Sequence, residues 1–192
     1  MKNLFTTSLG FFAICLFIIG CKKDNNDNST SNSFNFDNTE YKLSNGFIEN
    51  YGKDGTEGYN LDLTLISSEL TIHESNGEVD SLTGTGDVIY FEIYTSDPGK
   101  LSVKDYTYNK SSYADGTFDY GFVGMKFNPI KEIGTIHEIT GGKVSVKNNG
   151  SEYEISFDCT SDNGKKITGY YKGNLKYYNY SKKKSALRLP IR

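Results

Sequence analysis

Hydrophobic positions fall into three regimes along the chain. From Leu9 to Ile19 they are nearly continuous, broken only by the small residues Gly10 and Cys15. From 22 to 40 the chain is polar and poor in aliphatic side chains, running Lys-Lys-Asp-Asn-Asn-Asp-Asn-Ser and on to Glu40. From Tyr41 onward the period is two. Tyr59, Leu61, Leu63 and Leu65 alternate with Asn60, Asp62 and Thr64, which predicts a strand with one face buried and one solvated. Val88–Tyr94 is apolar on both parities, as a central strand covered on both sides would be. Val144 and Val146 lead into Lys147-Asn148-Asn149-Gly150, and Tyr153, Ile155, Phe157 and Cys159 alternate after it, which predicts a hairpin closed by a type I′ Asn-Gly turn. Ser161-Asp162-Asn163-Gly164 predicts a second hairpin, into a last strand over Lys165–Tyr178. Tyr41–Tyr51, Tyr106–Tyr108 and Thr117–Phe127 are further strands. No segment after residue 20 has a 3.6-residue period flanked by caps.

This pattern predicts one all-β, antiparallel domain over 41–180, with a β-sandwich as the expected architecture and a lipocalin-like closed barrel as the alternative. Gly169 and Gly173 inside the last strand weaken it unless they bend it or make room for neighbouring aromatic rings. Residues 21–40 cannot bury enough apolar surface to offset their ordering entropy and are expected to be a flexible tether. Residues 181–192, with Lys182, Lys183, Lys184, Arg188, Arg192 and no acid, form a basic tail.

The first apolar run is too short to cross about 30 Å of hydrocarbon, which needs about 20 residues, and suits the core of an export signal preceded by Lys2. It stops at Ile18-Ile19-Gly20-Cys21, and charged residues follow at once. This junction resembles the bacterial lipobox. The resemblance implies cleavage between Gly20 and Cys21, removal of 1–20 as a signal peptide, and acylation of Cys21. One myristoyl-length chain alone binds membrane only marginally, at about 0.8 kcal/mol per buried CH₂, whereas two or three longer chains hold firmly.

Charge and cysteine content narrow the function. Without Lys2 the 21 Lys and Arg fall to 20 against 24 Asp and Glu, a formal charge of −4, so nucleic acid is not an expected partner. Of the three cysteines, Cys15 leaves with the signal and Cys21 is lipidated, which leaves Cys159 alone, on the apolar parity of its strand and expected to be buried.

Catalytic chemistry finds little support. His73 and His137 each adjoin a glutamate, Glu74 and Glu138, but neighbours on a strand face opposite ways and neither pair can chelate a metal alone. Among the strand carboxylates Asp62, Glu92, Asp119 and Asp158 nothing singles out a facing pair. Gly-x-Ser-x-Gly and the calcium-loop spacing are both missing from the sequence. The expectation is therefore no catalytic, cofactor or metal site. The tyrosines exceed what one core readily buries with satisfied hydroxyls. Tyr90, Tyr94, Tyr120 and Tyr170 are the candidate ligand-contacting rings, exposed on a rigid sheet to stack on sugars or to anchor a protein.

Lys22-Lys23-Asp24 after the lipobox is similar to the short charged export signals of surface lipoproteins in the Bacteroidota. Gly141-Gly-Lys-Val-Ser-Val146, Tyr153-Glu-Ile-Ser-Phe157 and Gly169-Tyr-Tyr-Lys-Gly173 resemble the closing hairpins of that group's small β-sandwich lipoproteins of unassigned function. The resemblance implies an outer-membrane, lipid-anchored protein displayed at the cell surface, with no known reaction. The expected function is a binding or adhesion module for glycan or protein. A structural component of the envelope and a lipocalin-like carrier of a small apolar ligand are the alternatives. Cys21→Ala is expected to abolish both the acyl mass increment and co-sedimentation with envelopes; an unchanged mass and fractionation would overturn the anchor.

Overall fold

A computed structural model describes residues 31–53 and 57–182. The expected signal peptide, Cys21, the first part of the tether and residues 183–192 of the basic tail lie outside the described residues. Among those described, thirteen strands follow in chain order: β1 Ser33–Phe36, β2 Thr39–Lys42, β3 Asn45–Lys53, β4 Tyr59–Ile66, β5 Leu70–Ser75, β6 Glu78–Gly84, β7 Gly86–Thr95, β8 Asp105–Tyr108, β9 Thr117–Asn128, β10 Ile133–Asn149, β11 Tyr153–Ser161, β12 Lys166–Gly173 and β13 Lys176–Asn179. The all-β expectation holds for them.

Eleven strands form one curled sheet in the order β13-β3-β4-β7-β9-β8-β10-β11-β12-β1-β2, and β5 with β6 forms a separate hairpin. The expected purely antiparallel pairing is corrected: β8 runs parallel to β9, and β13 parallel to β3. The second parallel pair arises because the last strand does not run through to Tyr178. It stops at Gly173, and Lys176–Asn179 crosses to the opposite edge of the sheet.

The curl is built on β10, whose seventeen residues pair with β9 over Ile133–Glu138 and with β11 over Ile139–Asn149. The register slips between Ile139 and Gly141, where Gly142 takes φ +107°. A Cβ at Gly142 would lie 2.3 Å from the Asp158 carbonyl oxygen, so the bend excludes any side chain there. The two halves of the sheet then face each other across one core. Leu61, Leu63 and Leu65 of β4 and Ile89, Phe91 and Ile93 of β7 meet Ile155 and Phe157 of β11 and Ile167 and Tyr171 of β12. Gly169 answers the question raised by its place in a strand: its absent side chain leaves room for the Phe157 ring, whose Cζ would be 2.3 Å from a Cβ there.

The tether expectation is corrected for residues 33–40, which form β1 and the start of β2. Phe34 and Phe36 are 0% and 5% exposed and belong to the main core, with Phe34 stacked on Tyr41 at 4.9 Å. The turn between these strands is a two-residue loop, Asp37-Asn38, with both φ positive (51° and 62°), the geometry of a type I′ turn. By contrast the β10–β11 turn is not the expected Asn-Gly type I′. Asn149 still pairs with Tyr153, so the loop is Gly150-Ser151-Glu152, and neither Asn149 nor Gly150 has positive φ.

A further correction concerns the outer face of β4. Asn60, Asp62 and Thr64, on the parity expected to face water, are all buried, and Glu92 beside them lies on β7, which is covered on both sides as expected. The β5–β6 hairpin packs over part of this face through Leu70, Ile72 and Leu82, against Val88, Tyr90 and Phe122 on one side and Phe47 and Tyr178 on the other.

If β1 is a core strand, truncating it hurts stability. Phe34→Ala is expected to lower the unfolding free energy by about 3–5 kcal/mol in urea or guanidinium titration; a loss under about 1 kcal/mol would return this segment to a tether.

Candidate functional site

Four chain segments end together at one pole of the curl. The β1–β2 turn brings Phe36, Asp37 and Thr39, with Tyr41 behind them. The β11–β12 turn brings Asn163 and Lys165, β10 contributes Thr135 and His137, and β9 contributes Met125 and Lys126. Between them lies a cleft of about 350 Å³, within the usual range of ligand pockets of about 300–1,000 Å³.

Local sequence explains how each wall is held. Ser161, 1% exposed, organises the β11–β12 turn: its hydroxyl donates to Asn163 Oδ1 at 2.7 Å and accepts from the Lys165 N–H at 3.1 Å. Asp162 is fixed by its own N–H, which donates to the Glu138 carbonyl at 2.8 Å. Its carboxylate accepts from His137 Nδ1 at 2.8 Å. Burial pushes the Asp162 carboxyl up, but the His137 ring and the backbone hydrogen bonds of Asn163 and Glu138 together hold it below its ordinary value. An ionised carboxylate only accepts, so the ring donates through Nδ1, and in the neutral ring Nε2 is the acceptor. The Asn163 amide nitrogen lies 3.5 Å from that Nε2. The Phe36 ring packs on the imidazole at 4.9 Å, and Lys165 is ion-paired with Asp37.

An oriented His–Asp pair can hold a proton on one nitrogen and accept one on the other. A serine or cysteine nucleophile is not among the cleft's lining side chains; its hydroxyl-bearing residues are Thr39, Thr135 and Tyr41. The arrangement therefore suits recognition of hydroxyl groups.

Two other places were candidates on chemistry. A groove of about 470 Å³ runs between the β5–β6 hairpin and β13, but its charged groups satisfy each other: Lys176 pairs with Glu74, which also accepts from the Tyr178 hydroxyl at 2.7 Å. Burial and the Glu74 carboxylate hold that phenol well above its ordinary value. This groove is a seam between sheets. On the outer face, Glu49, Asp62 and Glu92 stand directly opposite one another across β3, β4 and β7. Register thus assembles a carboxylate row that no local spacing reveals. The Tyr90 hydroxyl donates to Asp62, Asn60 Nδ2 donates to it at 3.1 Å, and the Tyr94 hydroxyl donates to Glu92 at 3.3 Å. Burial, then the charges of Asp62 and Glu92, push the Tyr90 phenol far up. These groups form an internal hydrogen-bonded network.

The tyrosine expectation is corrected accordingly. Tyr90 and Tyr94 are 5% and 1% exposed and cannot serve as open platforms. Tyr120 is half-buried, edge-on to Tyr90 at 6.1 Å, and Tyr170 is half-buried on β12, in the other half of the sheet. The structure does not bring the four together. The most exposed tyrosines are Tyr113 and Tyr177, and the Tyr177 hydroxyl donates to the Pro98 carbonyl at 2.5 Å. The two histidines are likewise apart: His73 in β5 hydrogen-bonds Thr83 at 2.7 Å, in a different sheet from His137.

Sequence reasoning missed the cleft for two reasons. His137 and Asp162 meet only through the β10–β11 register, and Phe36 to Thr39 were assigned to the tether. The alternation Phe34, Phe36 followed by Asp37-Asn38 was the available signal. No protein family, curated protein or solved structure matches the chain.

Cys159 is buried against the Lys143 carbonyl, and burial pushes its thiol up to about 12. At pH 8 it is therefore a thiol, not a thiolate. The folded protein is expected to resist iodoacetamide at pH 8 and to react fully in denaturant; rapid alkylation of the native protein would contradict this packing.

Proposed function

We propose that this protein is an outer-membrane lipoprotein, anchored through acylated Cys21 and displayed at the cell surface, whose β domain is a non-catalytic binding or adhesion module for glycan or protein. The observation that supports this reading is the cleft at the pole of the curl. It combines aromatic side chains, two threonine hydroxyls, an amide and an oriented imidazole around a volume of ligand size. The architecture that accompanies it is the sandwich-like one. The inward side chains of the two sheet halves pack on each other, which leaves ligand contact to the rim and the outside. That packing also disfavours the carrier reading, in which an apolar ligand would occupy a closed barrel.

The structural-component reading draws on β2, a terminal strand of the sheet and so a possible pairing edge for another subunit. Its four residues carry Glu40 and Lys42, ion-paired at 2.8 Å, and short charged edges discourage such pairing.

The test is a screen of the mature chain, with Cys21→Ser for solubility, against immobilised envelope and host glycans and proteins. Binding that His137→Ala reduces about tenfold or more, with the ligand recovered unaltered, is the expected result. Binding indifferent to His137→Ala, or chemical conversion of the ligand, would overturn the reading.

A further inference from the structure

Lys126 stands out in the cleft for its backbone. It lies inside β9, yet its φ is +51°. L side chains avoid this region, and glycine occupies it without penalty. The local cause is a bulge: Val88 pairs with Gly124 while Gly86 pairs with Phe127, so β9 carries an extra residue there. The Lys126 N–H is secured by Asp87 Oδ1 at 3.0 Å. The bulge places Lys126 at the lining of the cleft, where it is exposed and makes no ion pair among the described residues. Lys126 therefore stands where a glycine would sit more easily, its backbone held by the bulge and the Asp87 contact.

Charge in the cleft follows. Asp37 is the lining carboxylate and Lys165 neutralises it, while Asp162 is occupied by His137 Nδ1. Lys126 is then the lining cation that no ion pair meets among the described residues, with the Asp87 carboxylate on its own N–H and the Asp162 carboxylate behind His137. Around that charge stand hydroxyls on Thr39 and Thr135, the Asn163 amide and His137 Nε2 at 3.5 Å from each other, and the Phe36 and Tyr41 rings. Hydroxyls, an amide and an imidazole beside aromatic carbon, with one unpaired cation, are the complement of a sugar ring carrying one acidic group.

We infer that the cleft binds an anionic sugar, its carboxylate or sulfate on Lys126 and a ring hydroxyl donating to His137 Nε2. This inference rests on the binding-module reading and narrows its ligand class. His137 is a positioning acceptor for the ring, and Lys126 sets the preference for charge.

The experiment is calorimetric titration of the mature Cys21→Ser chain with three probes of equal length: an oligogalacturonate, a sulfated glycosaminoglycan fragment and a neutral oligosaccharide. At least one anionic probe is expected to bind about tenfold or more tightly than the neutral one, and to weaken as salt rises. Which of the two binds better identifies the acidic group. Lys126→Gly is expected to weaken that binding about tenfold or more while raising the thermal midpoint, because glycine accepts φ +51°. A Lys126→Gln variant removes the charge and keeps the backbone strain, and is expected to lose affinity without gaining stability. A neutral probe that binds as well as the anionic ones, or an affinity indifferent to both substitutions, overturns the anionic preference and leaves the binding module standing. No binding by any of the three overturns the sugar inference; the wider glycan and protein screen then decides whether the module reading falls with it.

Discussion

The bend of β10 at Gly141 and Gly142 is the constraint on which the rest of the molecule depends. A sheet of eleven strands laid flat would leave each face needing its own cover, and the described residues have one small hairpin to offer. By slipping register at the bend, β10 serves both halves of the sheet, so the inward residues of β4 and β7 are buried by those of β11 and β12. Each half then supplies the other's apolar cover. The close approach of Gly142 to the Asp158 carbonyl fixes the bend by sterics rather than by any attractive contact. Gly169 plays the complementary part, admitting the Phe157 ring into the core so formed.

Much of the secondary structure was legible because it rests on local rules. Period-two alternation locates β4, β11 and β9, and the doubly apolar stretch Val88–Tyr94 falls in the buried β7. Turn chemistry was legible only in part. Asn-Gly at 149–150 promised a type I′ turn, but the strand pairing extends through Asn149 and consumes that position. Asp37-Asn38, a weaker signal, forms one because Phe34 and Phe36 on one side and Tyr41 on the other gain burial by pairing. Tertiary burial overrode turn preference in the first case and composition in the second. A stretch poor in aliphatics but holding two phenylalanines at strand spacing is a strand once a core exists to receive them.

What remained hidden is what depends on partners distant in sequence. Nothing in the neighbourhood of Tyr178 says that it will cross to run parallel with β3. The same holds for the polar residues of the outer face. Asp62 looks like a solvated position on its own strand, and its role appears only when register sets it beside Glu92, with Tyr90 across from Thr64. Burying carboxylates is costly unless hydrogen bonds compensate, and Tyr90, Tyr94 and Asn60 supply some of those bonds. This explains part of the tyrosine surplus. Several rings that looked spare are hydrogen-bond donors to internal acids, and so are withdrawn from ligand contact.

The cleft follows from the same geometry. Beyond the bend, the first part of β10 pairs with β9 and carries His137 alongside the β11–β12 turn, while the β1–β2 turn closes from the other side. The loops are short and tied: Ser161 braces one, a type I′ turn shapes another, and the β9 bulge holds Lys126 where it is. Side chains on so constrained a frame lose little conformational freedom when a ligand arrives, which is the usual way a small polar site gains affinity without a large buried area. The positive-φ lysine fits that logic: the β9 bulge and the Asp87 carboxylate on its N–H hold its backbone, and with it one exposed charge, at the rim of the cleft before any ligand arrives.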